Sequence, residues 1–175
     1  MTPGNKFVEL DKKVHDRSNF SCGVEVLDKF IRSDASKHRE LKISRTMVLP
    51  AREPVAPANL YPIAAFYTTT QTTIERQSVT AKLAKSLPNY PVPVFTIPCL
   101  AVDKELQGRG LGSDTLTVAL TELYHASKNG ISGIGVVIDP LDERADAIYR
   151  NFGFETLTEK RLFLGMKTVG KIVET

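Results

Sequence analysis

The chain predicts an α/β fold of the α+β kind, a mixed, mostly antiparallel central sheet of about six to seven strands flanked by about four helices. Three observations predict it. The first half carries short runs that alternate or are rich in β-branched residues. The second half interleaves apolar strand-like runs with segments of helical period, and glycine or proline stands at most of the joins. At 175 residues, with 42% apolar and 25% charged, the chain can bury a core without metal or disulfide staples. A single domain over 1–175 is expected, with 168–175 as a frayed tail.

The elements follow in order. Phe7-Val8-Glu9-Leu10 alternates and reads as a first strand. After Phe20-Ser21-Cys22-Gly23, the spacing of Val24, Val26, Leu27, Phe30 and Ile31 suits an amphipathic helix, and Ser33 is placed to cap a second, more polar helix towards Leu41. Thr46-Met47-Val48-Leu49 is a short strand closed by Pro50, and residues 53–59, rich in proline and alanine, form a loop. Tyr61 to Thr73 is a long strand, because Ile63, Phe66, Tyr67, Thr68, Thr69 and Thr70 favour the pleated backbone. The prolines of Leu87-Pro88-Asn89-Tyr90-Pro91-Val92-Pro93 confine that segment to an extended approach to the strand Val94 to Val102.

Leu111, Leu116, Ala119, Leu120, Leu123 and Tyr124 then repeat at three and four through a helix from Ser113 to Lys128, which Asn129-Gly130 stops. Ile134 to Ile138 is almost continuously apolar, as an interior strand covered on both faces would be. Asp139-Pro140 reads as an N-cap followed by proline in the first turn of a helix that runs to about Asn151 and ends at Gly153. Phe154 to Thr158 and Arg161 to Met166 make a closing hairpin.

Charge and cysteine usage narrow the function classes. The net charge of +3 fits inside Asp28 to Arg45, where Lys29, Arg32, Lys37, Arg39, Lys42 and Arg45 face only Asp28, Asp34 and Glu40. Such a face is ordinarily just solvated; as a functional feature it would steer a polyanion such as RNA. Cys22 and Cys99 lie in apolar contexts without metal-ligand spacing, so buried free thiols are expected and no metal site. The apolar runs are far shorter than a bilayer span, and a cytoplasmic protein with no membrane partner is expected.

The chemistry is concentrated in Gln107-Gly108-Arg109-Gly110-Leu111-Gly112, between the apolar run ending at Val102 and the helix beginning near Ser113. Glycines at alternate positions there can present bare backbone N–H groups, backed by a helix dipole, to a phosphate. Arg109 could add a charge-assisted contact or face water. No Lys-Ser/Thr follows Gly112, as a P-loop would need, and the spacing is not the dinucleotide fingerprint. It is [QR]-x-x-G-x-[GA].

That pattern, preceded by Leu100-Ala101-Val102-Asp103 and followed about 35 residues later by Ala145-Asp146-Ala147-Ile148-Tyr149-Arg150-Asn151-Phe152-Gly153-Phe154, resembles the GNAT superfamily of acyl-CoA-dependent N-acetyltransferases. The resemblance implies the GNAT fold and acetyl-CoA (coenzyme A) as donor. Leu100, Ala101 and Val102 would hold pantetheine through the main chain, and Gln107, Gly108, Arg109, Gly110, Leu111 and Gly112 the pyrophosphate. Tyr149 would be the catalytic acid that protonates the departing thiolate, a role worth roughly 10²- to 10⁴-fold. For the base, the residues leave Asp103, Asp139, Asp142, His125 or a water chain open; His15 and His38 have no partners in sequence.

The resemblance extends to one branch. Phe20-Ser21-Cys22-Gly23-Val24-Glu25-Val26-Leu27-Asp28 is similar to the F-x-C-G-x-x-x-L-[DN] opening of GNAT toxins from bacterial toxin-antitoxin systems. Ala64-Ala65-Phe66-Tyr67-Thr68, Pro91-Val92-Pro93 and Arg161-Leu162-Phe163-Leu164 match further blocks in the same order. The resemblance implies an enzyme that acetylates the α-amine of aminoacyl-tRNA and blocks translation, with a ribbon-helix-helix antitoxin as partner and a homodimer as assembly. The basic residues from Lys29 to Arg45 are then the candidate RNA contacts. The chain departs from that group at Cys99, where the toxins usually carry arginine, and at Pro140, where they carry alanine. Two other readings share the loop: transfer to a small metabolite or peptide amine, and a non-catalytic module that only binds coenzyme A.

Overall fold

The structure, a computed structural model, describes residues 1–175. Its elements in chain order are β1 (Val8–Glu9), β2 (His15–Asp16), α1 (Glu25–Lys29), a π turn (Phe30–Asp34), α2 (Ala35–Glu40), β3 (Arg45–Pro50), β4 (Tyr61–Ile74), α3 (Ala81–Ala84) and β5 (Val92–Val102). There follow a 3₁₀ turn (Lys104–Leu106), α4 (Leu111–Lys128), β6 (Gly135–Ile138), α5 (Glu143–Asn151), β7 (Glu155–Thr158), β8 (Arg161–Gly165) and α6 (Met166–Val173). The mixed, mostly antiparallel α/β fold is as expected. The strands number eight because the two-residue β2 is too short to leave a pattern. The chain divides into two compact units, Met1–Thr69 with Cys99–Leu116, and Thr70–Pro98 with Thr117–Thr175. Strands β4 and β5 and helix α4 each contribute residues to both.

In the first unit the strand order is β1, β3, β4, β5, with β2 beside β4. β1 pairs antiparallel with β3 through Val8↔Val48, and β3 with β4 from Arg45↔Thr69 to Leu49↔Ala65. Ile63 to Thr69 are all buried, so β4 is a continuous apolar and threonine run rather than an alternating one. The buried Thr68 hydroxyl is answered from the neighbouring strand: Thr68 and Thr46, itself buried on β3, share a hydrogen bond of 2.8 Å across the β3–β4 pair. Phe20 and Phe66 meet edge-to-face at 5.2 Å in the main cluster, with Leu27, Ile31, Val48 and Ile63 around them.

The expected break at Ser33 is absent. α1 continues through the π turn into α2, with Ala35 N–H bonding to Phe30 O, and no side chain caps α2. A π turn carries more residues per turn than the α-helix, which keeps positions four apart nearly in line. Leu27, Ile31 and Ala35 accordingly form one buried stripe. A serine followed by polar residues resembles a cap in sequence, but here burial of that stripe decides the backbone.

In the second unit β5 runs parallel to β6 (Phe95↔Val136, Thr96↔Val137), β6 antiparallel to β8 (Gly135↔Gly165 to Ile138↔Leu162), and β8 antiparallel to β7. All four residues of β6 are buried, as its unbroken apolar run requires. The start of α5 corrects the sequence reading. Asp142, extended at φ −153°, is the N-cap, and its carboxylate accepts from Ala145 N–H at 2.7 Å. Asp139 instead takes two hydrogen bonds from Arg161, Nε at 2.8 Å and Nη2 at 3.0 Å, which join the end of β6 to the start of β8. Pro140 thus precedes the helix rather than opening it.

The expected frayed tail is also corrected. Residues 166–173 form α6, in which Met166, Val169, Ile172 and Val173 fall on one side and Val169 is fully buried. Gly170 lies so close to Tyr124 that a Cβ there would stand 2.9 Å from the ring, and the Tyr124 hydroxyl donates to Glu174 at 2.5 Å. No helix is long and apolar enough to cross a membrane. Because Val169 is part of the packed interior, Val169→Ala should cost about 2 kcal/mol in denaturant unfolding; a change under about 0.5 kcal/mol is what a frayed tail would give.

Candidate functional site

The glycine loop is built by the end of β5. The parallel ladder with β6 covers Phe95 and Thr96, and β5 continues beyond it to Val102, with Ala101 and Val102 buried and Leu100 half-buried. Asp103 then turns the chain: its N–H bonds to Ala64 O at 2.9 Å and its Oδ1 accepts from Glu105 N–H at 3.0 Å, capping the 3₁₀ turn. Gln107 to Gly110 are exposed, and α4 opens with Asp114 N–H bonded to Gly110 O.

The three glycines have different reasons. Gly108 (φ +77°) and Gly110 (φ +84°) are left-handed, and a Cβ on either would meet no protein atom within 4 Å. The backbone angle, which costs other residues about 1–2 kcal/mol, therefore demands glycine, and the space above the loop is open for a ligand to approach. Gly112 is an ordinary helical residue whose Cβ would touch Val102 Cγ2 at 3.9 Å. Leu111 and Gly112 lie in the first turn of an 18-residue helix, where amides lack an intrahelical acceptor and the dipole favours an anion.

Gln107 has a role the motif does not state. Its Nε2 donates to Cys22 O at 2.8 Å and to Val102 O at 2.9 Å, so its amide nitrogen is committed to the protein although the residue is exposed. Asp28, in sequence one acid within a basic segment, is a buried anchor that the charge pattern does not single out. It is 3% exposed, and its carboxylate accepts from Cys22 N–H at 2.8 Å and Ser21 Oγ at 3.1 Å. Burial pushes its pKa up, but hydrogen bonds from Cys22 and Ser21 and the charge of Arg32 outweigh that, leaving it lowered. The signal was present: Asp28 is the [DN] that closes the opening block.

The basic segment is partly structural. Arg32 donates to Phe20 O at 2.5 Å with its Nε enclosed, Arg39 pairs with Glu9 at 2.7 Å and donates to Leu10 O, and Arg45 reaches Glu9 at 3.8 Å. Lys29, Lys37 and Lys42 extend from exposed positions. Cys99, in the place of the expected arginine, is buried in the main apolar cluster, its thiol pushed up to about 12 by burial; Cys22 is likewise a buried free thiol.

Tyr149 belongs to the second unit, on α5, 8% exposed and 6.0 Å from the Phe154 ring. Burial, then the charge of Asp142, push its pKa up to about 12. The phenol is therefore neutral throughout the physiological range, the form a proton donor needs. The candidate bases have other work: Asp103 and Asp142 cap helical turns, and Asp139 is paired with Arg161. His125 is exposed on α4, while His15 is buried and accepts from Asp11 N–H.

No family model matches the chain. It is similar to a tRNA-acetylating toxin of Mycobacterium tuberculosis (strain ATCC 25618 / H37Rv), 29% identical over 140 residues that span 80% of this chain and 78% of the relative. It is 24% identical to a probable toxin TacT of Sinorhizobium fredii (strain NBRC 101917 / NGR234), over 94% of this chain and 92% of that one. Among solved structures, a tyrosine-to-phenylalanine variant of KacT superposes with a TM-score of 0.84 at 23% identity, covering 95% of this chain and 98% of the other. AtaT complexed with acetyl-methionyl-tRNAfMet gives 0.81 at 26% identity, covering 97% and 99%, and AtaTR bound with acetyl-CoA 0.81 at 26%, covering 97% and 98%. The fold is thus that of the GNAT acetyltransferases. Within that class the chain resembles the tRNA-acetylating toxins over most of its length, as its motifs indicated.

The raised phenol pKa has a direct check. The native state holds the Tyr149 proton between about pH 10 and 12 while the unfolded chain releases it, so this group's contribution to stability is complete below pH 10 and lost towards 12. In ultraviolet titration at pH 10.5, parent and Tyr149→Phe should show the same tyrosinate absorbance; a deficit of one ionised tyrosine in the variant would contradict the burial assignment.

Proposed function

We propose that this chain is an acetyl-CoA-dependent N-acetyltransferase that modifies the α-amine of aminoacyl-tRNA and so acts in the cytoplasm as a translation-blocking toxin. The observation that carries the donor half is the pair of left-handed glycines whose Cβ positions face open space, immediately before the N-terminus of α4. A pyrophosphate fits that cradle, because backbone N–H groups and the helix dipole both favour an anion there. The acceptor half is supported by the likeness to the tRNA-acetylating toxin and to AtaT with its acetylated tRNA.

Acetyl-CoA would supply the acetyl group as an activated thioester. The main chain of Leu100 to Val102 would align the pantetheine arm, and the amides from Gly108 to Gly112 would hold the pyrophosphate, so that the donor is positioned before the amine arrives. Tyr149 would give its hydroxyl proton to the departing thiolate as the new carbon–nitrogen bond to the amine replaces the carbon–sulfur bond. No carboxylate is unoccupied as a base among the sequence candidates, so the amine proton passes to water; an aminoacyl α-amine, less basic than lysine, suits that route. Lys29, Lys37 and Lys42 supply exposed charge for the phosphates of the acceptor. A ribbon-helix-helix antitoxin is the inferred partner, in keeping with AtaT bound to the C-terminus of the antitoxin AtaR.

Incubation with acetyl-CoA and a full pool of charged tRNA, followed by mass spectrometry of the released aminoacyl groups, should show an N-acetyl adduct on at least one amino acid. No adduct anywhere in the pool would overturn the acceptor assignment. Tyr149→Phe should lower that turnover roughly 10²-fold or more, and unchanged turnover would remove the phenol from the mechanism. Gly110→Asp should abolish calorimetric binding of coenzyme A, since it adds both a left-handed side chain and a negative charge beside the pyrophosphate.

A further inference from the structure

The turn Phe20-Ser21-Cys22 lies against the main core, and every one of its backbone polar groups from Phe20 O to Cys22 O is taken up by two sets of partners. From the α1 side, Arg32 donates to Phe20 O, and Asp28 accepts from Cys22 N–H and Ser21 Oγ. From the side of the glycine loop, Lys104 N–H donates to Ser21 O at 2.9 Å, Asp103 Oδ2 accepts from Ser21 N–H at 3.5 Å, and Gln107 Nε2 donates to Cys22 O. The same Gln107 nitrogen also donates to Val102 O, the last carbonyl of β5.

One amide group therefore holds three pieces of chain together: the end of β5, the Cys22 turn and the first residue of the loop. The next residue is Gly108 at φ +77°, a conformation that a loop with glycine at alternate positions does not keep by itself, since glycine has the most backbone freedom to lose. We propose that the Gln107 side chain is a positioning residue for the donor: it never touches coenzyme A, and it sets the shape of the phosphate cradle by clamping the loop's first residue to Cys22 O and Val102 O. This deepens the proposed function, because it rests on the loop being the pyrophosphate site. Its chemical requirement is two N–H donors in a fork. Arginine can meet it, which gives the [QR] alternation of the motif a structural reason.

Loss of the clamp releases two hydrogen bonds, and about one net hydrogen bond's worth of preorganisation corresponds to roughly a tenfold change in affinity. The test is calorimetric titration of coenzyme A into Gln107→Met, which keeps the side-chain length without donors, and Gln107→Asn, which keeps the amide but is too short to reach both carbonyls. Affinity should fall about tenfold in each and return to within about threefold of the parent in Gln107→Arg. As a second readout, the preference for acetyl-CoA over S-acetylpantetheine, which lacks the pyrophosphate, should fall by a similar factor, with KM for acetyl-CoA rising while kcat holds.

Parent-like affinity in folded Gln107→Met or folded Gln107→Asn overturns the clamp, and so does an equal loss towards both acetyl donors, which would mark a general structural defect. If Gln107→Met does not fold, the asparagine variant decides alone. Gly110→Asp separates the two levels. If it abolishes binding while the Gln107 variants bind normally, only the clamp fails; if it too binds normally, the loop assignment fails with it.

Discussion

A buried turn must have its backbone polar groups satisfied, and in this protein Phe20-Ser21-Cys22 is the place where that requirement reaches furthest. Phe20 is 1% exposed, so the turn cannot leave the core without giving up the Phe20–Phe66 packing. Water has little access there, and the partners must come from the protein. Asp28 supplies a charged acceptor and remains ionised because its hydrogen bonds outweigh the penalty of burial. Gln107 and Lys104 supply donors from the other side. The first unit's core, its basic helix and the glycine loop are in this way tied to one short segment.

The charge distribution acquires a different meaning once these ties are seen. From sequence, the segment from Asp28 to Arg45 carries the whole net excess of the chain. In the structure Arg32 satisfies a backbone carbonyl, and Arg39 and Arg45 converge on Glu9, so that much of the arginine content holds α1, α2 and the first strands together. Exposed ion pairs of this kind add little to stability, but they do neutralise charge. The lysines are left as the long-range field.

The protonation of Tyr149 in the second unit depends on desolvation. An exposed phenol with a pKa near 10 would be neutral at physiological pH in any case; burial raises Tyr149 further and places its ring against Phe154, which limits how the hydroxyl can be aimed. Asp142, which might have passed for a catalytic carboxylate, caps the same helix that carries Tyr149. Its charge disfavours tyrosinate, so the cap and the burial of the ring both hold the phenol neutral.

The long strand β4, the buried β6, the stop at Gly130 and the closing hairpin were all legible in sequence, because each rests on local propensity and on a period that burial enforces. The glycine loop was legible for the same reason: positive φ at Gly108 and Gly110 is a property of two residues and their immediate neighbours. Local signals failed where a distant partner outweighed them. Ser33 resembled a cap, yet the stripe of Leu27, Ile31 and Ala35 carried the helix past it. Asp139 resembled a cap, yet Arg161, 22 positions away, took its carboxylate. The tail from 168 offered too few residues to stand as a helix by itself, and contact with Tyr124 supplied the burial it lacked. Sequence by itself thus determined most of the strands and helices, and the two glycines at which the chain turns left-handed before α4. Tertiary structure alone decided which charged and amide side chains face inward, because that depends on which backbone groups, far apart in the chain, are left buried without a partner.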